Sequence, residues 1–104
     1  MFRQGDVLLV PVPSIPEGLT THKGRLTLAT GEATGHAHVI KHGALLHGTD
    51  LEQRFLEVLD EGGVNLIHTS GPYPDHDTLT VPKGLYRVAR QREYTPEAVR
   101  NVAD

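Results

Sequence analysis

The chain has 104 residues, of which 38% are hydrophobic and 22% charged, and a net charge of −3 with histidine neutral. Such a length holds one core and excludes a second domain, since single cores commonly need roughly 100 to 150 residues, and the composition excludes a disordered chain. Cysteine is absent, which removes disulfides, thiolate metal sites and cysteine nucleophiles, so any metal must be held by His, Asp or Glu.

Met1 through Asp6 leads into no apolar leader, and no run reaches the roughly 18 apolar residues of a membrane helix. A cytoplasmic protein with no membrane partner is expected. Eleven glycines and seven prolines divide the chain into short runs, the spacing of strands joined by turns. The first predicted strand is Val7–Val12, stopped by Pro13-Ser14-Ile15-Pro16-Glu17-Gly18, whose prolines lack ladder donors. Arg25–Thr30 alternates Leu26 and Leu28 against Arg25 and Thr27, and Gly35–His42 follows a turn, so these two strands are expected side by side. Ala44–His47 comes next. Leu51–Asp60 suits either a strand over Arg54–Leu59 or an amphipathic helix, because Leu51, Arg54, Phe55, Val58 and Leu59 fit both periods. Asp60-Glu61-Gly62-Gly63 and Pro82-Lys83-Gly84 are turns around predicted strands Val64–Thr69, Thr78–Val81 and Leu85–Gln91. In the tail, Thr95 as N-cap, Pro96 at the first helical position and Glu97 near the dipole predict a helix over about 96–102. Val99 and Val102 should dock that helix on the sheet. The expectation is an all-β fold, a small single-domain barrel or sandwich of seven or eight strands with a short C-terminal helix.

Seven histidines are the unusual feature. Alternation along a strand sends His36 and His38 to one face, about 6 to 7 Å apart along the backbone, and two imidazoles so placed can converge on one ion. A stable site needs further ligands. His68 supplies one, because Val64, Leu66 and His68 share a face of their run, and His76, between Asp75 and Asp77, is the reserve ligand. His42 shares the face of His36 and His38 one step further along. Glu32, just before the pair, is the candidate general base for a metal-activated water. The competing reading leaves the histidines merely hydrogen-bonded or exposed and Glu32 in a solvent turn. His22 and His47 read as surface residues. Ser70 beside His68 makes a poor nucleophile, since adjacent strand residues do not form the required base contact.

Gly31 ahead of His36-x-His38, together with Pro82-x-Gly84, resembles fragments of the two cupin motifs, which implies a small double-stranded β-helix with a metal in its barrel. The sequence departs from that pattern: the acidic ligand after the H-x-H is missing, with His42 nearby, and the histidine expected after P-x-G falls at Arg87. His68 or His76 would have to replace those donors. Gln4-Gly5-Asp6-Val7-Leu8-Leu9, Gly31-Glu32-Ala33-Thr34-Gly35-His36-Ala37-His38 and Gln91-Arg92-Glu93-Tyr94-Thr95-Pro96-Glu97 also resemble, nearly end to end, a group of short bacterial and phage proteins of unknown function. That likeness implies no activity.

The expected function is to hold a divalent metal ion (zinc, nickel, iron or manganese) through His36, His38 and His68, with His76 in reserve. If it catalyses, a small-molecule ligand would meet metal-activated water with Glu32 as base. The alternative is a non-enzymatic interaction module docking a protein or nucleic-acid partner through Arg87, Arg90, Arg92 and Tyr94. Nucleic acid is the lesser expectation, because Arg90 and Arg92 are read as pairing with Glu93 and Glu97. An open sheet edge would also let two copies form a homodimer.

Overall fold

The computed structural model describes residues 1–30, 36–49, 53–70, 73–74 and 78–90. These form eleven strands: β1 (Phe2–Gln4), β2 (Val7–Pro11), β3 (Thr21–His22), β4 (Leu26–Thr30), β5 (His36–Ile40), β6 (Ala44–His47), β7 (Arg54–Val58), β8 (Val64–Ser70), β9 (Tyr73–Pro74), β10 (Leu79–Val81) and β11 (Gly84–Arg90). All eight predicted runs are strands, and β4 pairs β5 as expected. Three more, β1, β3 and β9, raise the number above seven or eight; they are too short to show an alternating pattern. The ambiguous stretch before Asp60 is a strand over Arg54–Val58, since it pairs with β6 on one side and β11 on the other. A helix there would satisfy neither neighbour's ladder. No helix occurs among the described residues, and the predicted helix over 96–102 lies outside them.

One sheet runs β1-β2-β11-β7-β6-β3 and the other β10-β8-β5-β4, with β9 added to β8. Every pairing is antiparallel, so one face of each sheet can be apolar while the other meets solvent. The two apolar faces meet across a single core: Val7, Leu9, Leu46, Leu56, Val58 and Tyr86 from the first sheet, Leu26, Leu28, Ile40, Leu66 and Val81 from the second. Each fully buried aliphatic side chain contributes roughly 1.5 to 3 kcal/mol, and this burial offsets the entropy of ordering a loop-rich chain. A register shift between Thr27 and Ala29 marks a bulge at Leu28 in β4.

Turn chemistry holds the strands in register. In the connection before β8, Asp60 accepts hydrogen bonds from Gly62 N through Oδ1 at 3.0 Å and from Gly63 N through its carbonyl at 2.9 Å. Gly63 has φ +83°, and a Cβ there would stand 2.7 Å from the Val81 carbonyl oxygen. Gly63→Ala combines backbone strain with a backbone clash and is expected to cost about 1 to 3 kcal/mol in urea unfolding. Gly62→Ala is the control. Its Cβ would meet only Asp60 Oδ1 at 3.6 Å, without positive φ, so its midpoint should stay close to the parent's.

Candidate functional site

Along β5 the core face reads His36, His38, Ile40, so the two histidines extend the apolar face toward one end of the sandwich. In β8 the matching residues are His68 and Leu66, with His38 directly opposite His68 and Ile40 opposite Leu66. The sequence expectation that His36, His38 and His68 share a face and lie together therefore describes the structure. His38 and His68 stack with ring centroids 4.5 Å apart and planes 7° from parallel, while His36 meets His68 edge-on at 5.0 Å and 83°. His38 is only 5% exposed, and Nδ1 of His68 is sealed from solvent.

The opposite sheet closes this end with three polar residues. The β1–β2 hairpin turns through Gly5 and Asp6, with Gly5 at φ +59°, the positive value that the first position of a type II′ turn requires. That turn aims Gln4 inward and sets Asp6 over the histidines. Gly5 also gives room, since a Cβ there would lie 3.2 Å from Cε1 of His38. Arg90, at the end of β11, pairs in register with Val7 and donates from Nε (2.9 Å) and Nη2 (2.5 Å) to Asp6 Oδ2.

The hydrogen bonds assign protons. Gln4, 3% exposed, donates from Nε2 to the Leu66 carbonyl at 2.7 Å. A carbonyl only accepts, so the Gln4 amide orientation is determined and its Oε1 faces Nδ1 of His38 at 2.9 Å. Nδ1 of His38 must then donate. Its Nε2 points at Asp6 Oδ1, 3.7 Å away, a separation too long for a hydrogen bond.

Burial lowers the His38 pKa from 6.5, with His68, Arg90 and His36 adding to the effect and Asp6 opposing it. Burial alone would raise Asp6, but the hydrogen bond and charge of Arg90 outweigh it and hold the carboxyl below its ordinary 3.8. At neutral pH the ring is therefore neutral and the carboxylate ionised, so two lone-pair atoms face each other. Both depressed groups are protonated less readily in the folded chain than in the unfolded one. Their contribution to stability is complete above the unfolded pKa values and is lost as the pH falls through the lower folded ones. The urea midpoint of the metal-free protein should accordingly fall on acidification from about pH 7.5 to about pH 5, and His38→Gln should flatten that dependence. A parent midpoint that does not move would contradict the assignment.

As the rings stand, they do not converge. An imidazole binds a metal in its own plane, and two nearly parallel stacked rings have no common in-plane point at bonding distance. Among the described residues, no group of three or more His, Asp or Glu side chains is poised to hold an ion. Glu32 and His76 lie outside the described residues. His42 does not line this site: β5 ends at Ile40, and His42 is exposed in the connection to β6. His22 is exposed as expected, but His47 is not a plain surface residue. Its side chain is 16% exposed, with Thr21 Oγ1 at 2.9 Å from Nδ1 and Glu57 Oε1 at 3.0 Å from Nε2.

Gln4, Asp6 and Arg90 escaped the sequence reading. A local signal existed for the first two, since Gly5-Asp6 between Gln4 and Val7 fits a two-residue hairpin turn. Nothing local tied them to histidines more than thirty residues on. Arg90 is held by Asp6; Glu93 and Glu97, with which it was expected to pair, lie outside the described residues. Arg87, where the cupin pattern would have its histidine, alternates with the core residues Tyr86 and Val88 and so belongs to the other face of its sheet.

These features define a two-sheet antiparallel β domain with a partly buried histidine, carboxylate and arginine site at one end. Residues 3–91 match the model of a domain of unknown function, DUF8820, and the chain belongs to that family. The matched span includes Gln4, Asp6, the three histidines and Arg90, and the match shows no cupin resemblance. No curated protein matches the chain, and no solved structure matches it. Among the described residues no helix is long and apolar enough to cross a membrane.

Proposed function

We propose that the protein binds a divalent metal ion between His38 Nε2 and Asp6 Oδ1, with His68 and His36 turning in to complete the coordination. The 3.7 Å between those two atoms carries the reading. Two donors about 2.1 Å from an ion at the tetrahedral angle stand about 3.4 Å apart, so a small movement lets both reach one ion. The surroundings suit this. Gln4 accepts from Nδ1 of His38 and Arg90 occupies Oδ2 of Asp6, which leaves Nε2 of His38 and Oδ1 of Asp6 as the donors for the ion, as outer hydrogen bonds do around many metal ligands. Imidazole with carboxylate suits zinc, nickel, iron or manganese.

Filling the coordination requires His68 to leave the stack with His38, a side-chain rotation that the bonds to the ion would offset. The interaction-module alternative is weakened because Arg90, one of its three arginines, is committed to Asp6. The test uses untagged protein stripped with a chelator and titrated calorimetrically with zinc, nickel and manganese salts. One ion per chain is expected, together with loss of the ring stacking in histidine side-chain NMR spectra. Absence of saturable uptake, or uptake that survives His38→Ala unchanged, would overturn the proposal.

A further inference from the structure

On the outer face of the six-stranded sheet, three side chains form a hydrogen-bonded chain. Leu46 of β6 and Leu56 of β7 turn toward the core, so their strand neighbours His47 and Glu57 stand on the other face. Glu57 pairs with Leu45, two residues before His47, and His47 pairs with Thr21 of the edge strand β3. That register brings the three side chains within reach of one another. Glu57 Oε1 lies 3.0 Å from Nε2 of His47, and Thr21 Oγ1 lies 2.9 Å from Nδ1. None of the three belongs to the histidine site described above.

The proton positions follow from the partners. A carboxylate only accepts, so Nε2 of His47 donates to Glu57; in the neutral ring the lone pair is then on Nδ1, and the Thr21 hydroxyl donates to it. The hydroxyl proton already points at a base. Taking it would give an imidazolium whose charge the Glu57 carboxylate stabilises, which is the arrangement that activates a weak hydroxyl nucleophile. Thr21 itself is exposed, so a reagent can reach its oxygen. The strand that carries it has only two residues, yet it is held at both sides of Thr21. Gly48 N donates to the Thr20 carbonyl at 2.7 Å, and His22 Nε2 donates to the Gly48 carbonyl at 3.2 Å.

We propose that Thr21 is a nucleophile that takes an acyl group from activated esters. Thr21 Oγ1 bonds to the carbonyl carbon while Nδ1 of His47 takes the hydroxyl proton. The bond from that carbon to the leaving oxygen breaks, the leaving group departs as its anion, and the proton passes from Nδ1 to water. Thr21 stands in solvent, where water solvates the oxyanion, so its acyl donors are esters with good leaving groups. The test treats the full chain with p-nitrophenyl acetate at neutral pH and maps the acetyl group by peptide mass spectrometry. Acetylation of Thr21 is expected, about 100-fold slower in His47→Gln. Thr21→Ser, which keeps the hydroxyl, should take the acetyl group at that position, and Thr21→Val, a near isostere without it, should not. Glu57 is a positioning residue. Glu57→Ala should slow the transfer by about tenfold and change the ¹⁵N signals of the His47 ring from the Nε2–H tautomer to a mixture, which a loss of packing alone would not do. His38→Ala should leave the acetylation unchanged, which separates this cluster from the metal proposal. Acetyl groups on amines with none on Thr21, or equal rates in His47→Gln and the parent, would each overturn the assignment.

Discussion

His38→Ala is expected to abolish saturable metal uptake, and Asp6→Asn to weaken it by about 10- to 100-fold, both read as dissociation constants from calorimetry. The two substitutions act differently. His38→Ala removes the donor whose proton position Gln4 determines, leaving a buried amide oxygen without its partner and a missing face in the stack with His68. It should therefore also lower stability by about 1 to 3 kcal/mol. Asp6→Asn keeps an oxygen near Nε2 but removes the charge that attracts the ion and holds Arg90. His42→Ala is the control, since that residue is exposed beyond the other end of β5. Uptake in the parent should weaken below about pH 6, because protons then compete for the imidazoles. Affinity that ignores both acidification and Asp6→Asn would place the ion elsewhere.

Leu56→Ala should be the most damaging of the simple core substitutions, at about 2 to 5 kcal/mol. Leu56 is fully buried in β7, an inner strand paired on both sides, so neither neighbour can move inward to fill the space without breaking its own ladder. The cost combines lost transfer free energy with an unfilled cavity. Domains of this size commonly have about 5 to 15 kcal/mol in total, so the variant should unfold at a far lower urea concentration. Leu59→Ala, one residue past the end of β7 and 46% exposed, should change stability by less than about 0.5 kcal/mol. Equal effects at the two positions would show that the core is not centred on this strand.

The same contrast explains what could be read from the residues. Strand positions were legible because glycine and proline punctuate the chain and because Leu26 and Leu28, or Val64 and Leu66, repeat with the period of a strand. The Leu51–Asp60 stretch was not, since its apolar residues fit both periods; the ladders on either side of β7 decided it. The metal expectation was legible as a face, but not as a geometry.

By itself the sequence determined an all-β domain, the spans of its longer strands, and the common face of His36 and His38, because these follow from interactions among residues close in the chain. Only the tertiary structure decided that His68 stacks on His38, that Gln4 sets its tautomer, and that Asp6 and Arg90 close the site. Gln4 lies 34 residues from His38, and Arg90 lies 84 from Asp6. Contacts at such separations depend on the order and register of the sheets, which local periodicity does not encode.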